Sequence, residues 1–319
     1  MNRCLVFGSG SAGIRHARNA RSLGIETKII SKRELEEFQT FKTLENALSS
    51  FKPDFAIVAN RTSEHLDDLG ILVQEKIPAL IEKPLTTKVS HQLNNLIDLI
   101  NHQQLQNNYR VAYLMRYHPL VIQLNKDIES LGKINYVNSQ YSHYLPWWRS
   151  HGDFKKSYSA SRDQGGGVMY DSSHEIDLIQ FLFGKVESVS GILKNYQTLG
   201  IESDELSSLS LELEENVAVD ISLDYLSRIP VRTMRIEGKE GTVILDFIKE
   251  NYFINTSEDK EVRKIDFEID RNQIFMDELK SFIYNLNDCL LPNINDSLET
   301  VKIFDLVQES NIKRKWIRT

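Results

Sequence analysis

The sequence predicts an α/β protein of two domains, a doubly wound parallel sheet followed by an α+β domain with a large, open, mostly antiparallel sheet. Three observations predict it. A short apolar strand runs through a G-x-G-x-x-G turn into a helix; strand and helix patterns alternate as far as about residue 117; and beyond that point apolar and polar residues alternate with a period of two. Alternating βα units bury both faces of a parallel sheet, whereas period-two alternation marks strands with one face in a core and one in water. The expected cut separates residues 1–117 from residues 118–319.

The first strand is Cys4-Leu5-Val6-Phe7, and it leads directly into Gly8-Ser9-Gly10-Ser11-Ala12-Gly13. A helix follows with Ile14, Ala17, Ala20 and Leu23 at helical spacing, and it stops at Gly24. In a Rossmann dinucleotide fold Gly8 makes the tight turn, Gly10 lets the pyrophosphate approach the backbone and Gly13 lets the helix pack on the strand. The helix N-terminus then holds the phosphates. The second strand, Glu26 to Ile30, ends at Ser31-Lys32-Arg33. An NAD site usually carries an acid there; a hydroxyl and two cations suit a 2′-phosphate instead, so NADP is expected over NAD. Phe55 to Ala59, Ala79 to Ile81 and Tyr109 to Leu114 read as further buried strands, with helices over His65 to Lys76 and Ser90 to Gln104.

In the later half, Leu209, Leu211 and Leu213 alternate with polar residues, as do Val217, Val219, Ile221 and Leu223, which makes a half-exposed antiparallel hairpin. Strands are expected at Thr233 to Glu237, Thr242 to Phe247 and Tyr252 to Asn255. Helices are expected at Ile274 to Asn287 and Leu298 to Asn311. Some of the helices cover the apolar face of this sheet. The opposite face is expected to meet a second copy of the chain in a homodimer or homotetramer.

Two segments carry candidate chemistry. In Gly165-Gly166-Gly167-Val168-Met169-Tyr170-Asp171-Ser172-Ser173-His174-Glu175-Ile176-Asp177, a helix from Val168 stacks Asp171 and His174 on one face. A carboxylate beside an imidazole is a proton acceptor and donor, and the glycines admit a ligand close to the backbone. In Ile81-Glu82-Lys83-Pro84, a lysine stands at the carboxyl end of a strand, where a fixed cation polarises a substrate oxygen. The proline restricts Lys83 to extended backbone and is open to the cis form.

Composition limits the alternatives. A chain of 319 residues holds two domains with full cores, and 41% hydrophobic with 26% charged residues is ordinary for a globular protein. The net charge of −7 argues against a nucleic-acid partner, the only basic run being Lys313-Arg314-Lys315. Cys4 and Cys289 offer neither a disulfide framework nor a metal cluster. The apolar start is too short for a secretory leader and no apolar run is long enough to cross a bilayer, so no membrane partner and a cytoplasmic address are expected.

The chain resembles the Gfo/Idh/MocA oxidoreductases, the glucose-fructose oxidoreductase and inositol dehydrogenase group. The resemblance rests on Gly8 to Gly13, the strand Phe55 to Ala59 followed by His65, Glu82-Lys83-Pro84, Arg116-Tyr117-His118-Pro119, Gly165 to Asp177, and Gly238-Lys239-Glu240-Gly241-Thr242. It implies that Lys83, Asp171 and His174 are catalytic and that Asn60, His65, Glu82 and Lys83 join the glycine loop in holding the dinucleotide. Many members space the aspartate and histidine by four, where this chain has three; in a shifted register Asp177 or Glu175 takes the place of Asp171. Tyr144-Leu145-Pro146-Trp147-Trp148-Arg149 and Tyr158-Ser159-Ala160 resemble a bacterial branch associated with surface polysaccharide and nucleotide-sugar metabolism. That branch implies a sugar or nucleotide-sugar substrate, held by Arg116, Tyr144, Trp148, Arg149 and Tyr158. Alternatively, the Trp147 and Trp148 rings pack a core or a subunit interface. The expected reaction is NADP-linked hydride transfer at a sugar carbinol or keto carbon. A lysine from one half and an imidazole from the other are expected to serve the same nicotinamide ring. Two other functions share the resemblance or the fold: a redox-neutral sugar lyase or hydrolase that retains its dinucleotide, and a cofactor-binding sensor without chemistry.

Overall fold

The structure is a computed structural model describing residues 1–148 and 153–319. It divides into two compact units, one of Met1–Leu114 with Arg271–Val301, the other of Met115–Asp270 with Lys302–Thr319.

The first unit begins with β1 (Arg3–Phe7), α1 (Ser11–Ser22), β2 (Glu26–Ile30), β3 (Thr40–Phe41) and α2 (Leu44–Ser50). It continues with β4 (Phe55–Val58), α3 (His65–Gln74), β5 (Ala79–Glu82), α4 (His91–His102) and β6 (Tyr109–Ala112). Among the described residues these strands form one parallel sheet in the order β3-β2-β1-β4-β5-β6. Cys4 to Phe7, Phe55 to Val58 and Ala79 to Ile81 are buried throughout, which is why they read as unbroken apolar runs. The order reverses between β1 and β4, so the carboxyl ends of those strands frame the crevice in which such sheets bind ligands. β3 and α2 had no signal strong enough to predict, one being two residues long and the other seven.

The second unit holds α5 (Pro119–Asp127), β7 (Ile134–Ser142), α6 (Leu145–Trp148), α7 (Val168–Asp171) and α8 (Ser173–Phe183). Then come β8 (Val186–Lys194), β9 (Leu206–Leu213), β10 (Val217–Asp224), β11 (Val231–Gly238), β12 (Gly241–Asp246), β13 (Asn251–Thr256) and β14 (Arg263–Asp266). After α9 (Arg271–Tyr284) and α10 (Ile294–Lys313), β15 (Ile317–Arg318) completes a nine-stranded sheet ordered β14-β13-β12-β11-β7-β10-β9-β8-β15. Every pairing is antiparallel except β7 with β10. The alternation predicted for the hairpin holds: Leu209, Leu211, Leu213, Val219, Ile221 and Leu223 are buried, while Ser210, Asp220 and Ser222 lie between them on the other face.

The expected cut put residues 271–301 with the second domain, whereas these residues group with the first unit. The packing shows why. Phe282 of α9 meets Phe55 of β4 at 5.8 Å, and Phe275 receives the edge of the His16 ring at 5.6 Å. Arg110 donates to the carbonyls of Leu286 and Leu291 at 2.8 and 2.9 Å. No described helix is long and apolar enough to cross a membrane.

The glycine turn tests this packing. A Cβ on Gly13 would lie 2.2 Å from the Gly8 carbonyl oxygen, while one on Gly10 would meet nothing within 4 Å. In urea unfolding, Gly13→Ala is expected to lose about 3 kcal/mol, the upper range for overpacking. Gly10→Ala is expected to lose about 1 kcal/mol or less, the cost of a poorer N-cap. Equal losses would mean that Gly13 does not mark a close contact.

Candidate functional site

The first unit supplies a cradle of backbone. Gly8 turns at φ +98°, and Gly10 is the N-cap of α1 with no side-chain cap and no acid in the first turn. The leading N–H groups around Ser11 and Ala12 therefore face outward with the positive end of the helix dipole, an arrangement that suits phosphate. Ser31 is buried at the end of β2, its hydroxyl 2.8 Å from that of Ser9, and it accepts the Arg33 N–H at 3.0 Å. The Arg33 guanidinium reaches back to the Ser9 carbonyl at 3.0 Å. Lys32 and Arg33 are exposed beside the glycine loop.

At the end of β4 the Asn60 amide donates to Asp68 at 2.6 Å; burial raises the Asp68 carboxyl to about 6. His65 is wholly buried, its Nδ1 3.1 Å from the Pro84 carbonyl, and burial lowers its pKa. At the end of β5 Glu82 meets His16 at 2.9 Å, and the Lys83–Pro84 bond is cis. Burial alone would push Glu82 up, but the His16 bond and charge, with the charges of Lys83 and His65, hold it below the usual carboxylate range.

In the second unit the Gly165–Asp177 segment is not one helix. α7 ends at Asp171, Ser172 turns at φ −97° and ψ 21°, and α8 begins at Ser173. A serine that competes for backbone bonds is a natural break point. Asp171 is thus the last residue of one helix and His174 lies in the first turn of the next, both buried. The glycines serve the chain itself as well, because a Cβ on Gly166 would lie 2.0 Å from the Tyr158 carbonyl oxygen. The Tyr225 hydroxyl donates to Asp171 Oδ2 at 2.6 Å; burial, then the Asp171 charge, push this phenol well above its ordinary pKa, so it remains a donor.

α8 is fixed by two buried ion pairs. Glu175 accepts from Nε and Nη2 of Arg232, at 2.9 and 2.6 Å, and from the Ser139 hydroxyl at 3.0 Å. Asp177 accepts the fork of Arg116 at 2.9 and 2.7 Å, and the same guanidinium lies over Phe181 at 4.4 Å. The arginine expected to hold substrate is therefore occupied within its own unit. Neither Glu175 nor Asp177 takes the Tyr225 hydroxyl that Asp171 holds.

Aromatic rings gather near Tyr225. Trp148 stacks on Tyr141 with centroids 5.9 Å apart and meets Tyr225 edge-on at 5.5 Å. Tyr144 lies under the Arg228 guanidinium at 4.6 Å, and Tyr158 is half-buried. Trp147 is half exposed, whereas Trp148 is packed in this cluster. Arg149 lies outside the described residues.

The sequence reading overlooked Tyr225, Arg232, His16 and Glu278. Tyr225 continues the odd-numbered inward alternation of Val217 to Leu223. His16 follows Gly13 on the face of α1 that packs inward, and Glu278 falls at core spacing with Phe275, Leu279 and Phe282. Arg232 gave no signal.

The fold defines a class, proteins that carry a Rossmann-like parallel sheet and a second, mostly antiparallel sheet. Residues 127–244 match the GFO/IDH/MocA C-terminal domain. Among curated proteins the chain is 27% identical to YteT of Bacillus subtilis (strain 168), which is named as an oxidoreductase, over 42% of this chain. The match spans about a third, 31%, of the length of that relative. Among solved structures, levoglucosan dehydrogenase in complex with NADH has a TM-score of 0.87 at 15% identity, over 99% of this chain and 98% of that one. An NAD binding oxidoreductase from Klebsiella pneumoniae has a TM-score of 0.83 at 13% identity, over 99% and 98%.

Removing one partner of a buried pair strands a charge. Glu175→Ala is expected to cost about 3–5 kcal/mol in denaturant unfolding, and Arg232→Ala a similar amount. The double variant should lose less than the sum of the two. Additive losses would show that the two residues do not depend on each other.

Proposed function

We infer that the protein is an NADP(H)-dependent oxidoreductase that moves a hydride between the nicotinamide and a carbinol or keto carbon of a sugar or nucleotide sugar. The observation that carries this reading is the buried Asp171 carboxylate, bonded to the Tyr225 hydroxyl at 2.6 Å, with His174 in the next helical turn. A sensor has no need of a buried carboxylate bonded to a phenol, with an imidazole three residues further along the chain.

The open backbone over Gly10 and the outward N–H groups of α1 fit a pyrophosphate, and Ser31, Lys32 and Arg33 suit a 2′-phosphate. Asn60, His65 and Glu82 line the same strand ends and complete the cofactor set. The levoglucosan dehydrogenase and Klebsiella neighbours carry NADH or NAD in their names, which supports a nicotinamide dinucleotide. When bound, that cofactor supplies the hydride donor or acceptor. His174 takes the hydroxyl proton during oxidation and returns it in the reverse direction. Lys83 stabilises the developing alkoxide, and Asp171, braced by Tyr225, orients the imidazole. Trp148, Tyr144 and Tyr158 offer faces for a sugar ring or base, with Arg149 as a cation for its charged groups. A role in bacterial polysaccharide metabolism follows from that substrate class. The polar face of the second sheet would then join copies of the chain in a homodimer or homotetramer, working in the cytoplasm.

His174→Ala is expected to slow turnover of a sugar substrate by about 10²-fold or more while NADPH affinity, read by fluorescence titration, stays near normal. Unchanged turnover would remove His174 from the reaction. Replacing Lys32 and Arg33 together by alanine should weaken NADP binding far more than NAD binding. Equal losses would show that these residues do not read the 2′-phosphate.

A further inference from the structure

Lys83 stands where β5 gives way to a loop, and its backbone is held on both sides. Its N–H donates to Glu82 Oε2 at 3.3 Å, and the other oxygen of that carboxylate meets His16 Nε2 at 2.9 Å. On the far side the carbonyl of Pro84 lies 3.1 Å from His65 Nδ1. His16 belongs to α1 and His65 opens α3, and neither has any exposed surface. The His16 ring is itself packed edge-on against Phe275, with centroids 5.6 Å apart.

The partners decide which nitrogen carries the proton. A carbonyl oxygen only accepts, so His65 donates from Nδ1. Glu82 is held below the usual carboxylate range, and as an anion it too only accepts, so His16 donates from Nε2. The other nitrogen of each ring, His16 Nδ1 and His65 Nε2, is buried with no hydrogen-bond partner among the described residues. Burying an imidazole is costly unless its polar atoms are used. In both rings the donor is aimed at the Lys83 segment. α1 also begins at the glycine turn, with Gly10 as its N-cap. One helix thus carries outward N–H groups at its start and, in its second turn, the ring that fixes Glu82.

We propose that His16 and His65 are positioning residues that clamp Lys83 from two helices, His16 through the Glu82 carboxylate and His65 through the Pro84 carbonyl. The lysine is thereby registered against the helix whose N-terminus suits phosphate. The catalytic meaning rests on Lys83 stabilising an alkoxide, as inferred above; the clamp does not.

The test uses the full chain with isotope-labelled lysine, followed by NMR without substrate, so failure of the dehydrogenase reading leaves it unaffected. The Lys83 signals are identified by their loss in Lys83→Arg. Alanine at either histidine would open a cavity, so the clamp is probed with amides. Glutamine places an N–H near that of Nε2, and asparagine near that of Nδ1. His16→Gln should therefore keep the slow exchange of the Lys83 amide. His16→Asn should speed it roughly tenfold or more, as loss of a hydrogen bond to a carboxylate requires. At His65 the order reverses: His65→Asn should keep the Lys83 Cε–H resonance in place, and His65→Gln should move it toward that of exposed lysines. Lys28, inside β2 of the same sheet, is the control, its amide exchange unchanged in every variant. A merely structural role would not produce this reversal. Glutamine and asparagine acting alike at both histidines, or Lys28 loosening in step with Lys83, would overturn the proposal.

Discussion

A helix that carries Glu175 and Asp177 into a core must find their counter-charges there. Arg232 and Arg116 meet that demand, reaching α8 from β11 and from the turn before α5. Each pair has lost most of its water, so its net contribution to stability is modest while the loss of one partner is severe. Bonds to directed donors fix the position and rotation of the helix more sharply than apolar packing alone would. His174 lies directly beside Glu175, and its place in the unit follows from those two anchors. Asp171 is fixed separately through Tyr225, which stands at the end of β10. Asp171 and α8 are therefore held by the sheet, not by the loops that connect it.

The first unit follows the same rule with a smaller set of groups. Glu82 reaches the end of β5 as an anion because His16 and Lys83 stand beside it. The glycine turn, by contrast, holds no side chain at Gly10 and leaves its N–H groups to a ligand. One strand end thus presents fixed side-chain charge and another presents backbone dipoles. That division matches what a phosphate and a reacting oxygen each require.

The fold was legible where one physical signal dominated. β1, α1 and β2 follow from an apolar run, a glycine turn with a mechanism and a helical stripe ended by Gly24. The β9–β10 hairpin follows from strict alternation. β7 and β8 were less visible because their apolar and polar residues alternate unevenly, and β3 and β15 are two residues long. The grouping of α9 with the first unit could not be read locally, since it depends on Phe282 meeting Phe55 far away in the chain. Of the candidate residues, Asp171 and His174 stood out by their spacing and Lys83 by its place at the end of a strand. The break at Ser172 and the use of Arg116 by Asp177 were not, because both depend on long-range packing. An arginine near a candidate site reads the same in sequence whether it binds a ligand or a buried carboxylate.

The most direct test of the account is isotope transfer from the reduced cofactor. NADPH carrying deuterium at the transferring position of its nicotinamide would be incubated with the protein and a panel of keto sugars and nucleotide keto sugars, and the products analysed by mass spectrometry. The account predicts deuterium bound to carbon at the new carbinol of at least one product, in proportion to NADP formed. A protein that binds the cofactor tightly yet returns it with all its deuterium, across the whole panel, would contradict it.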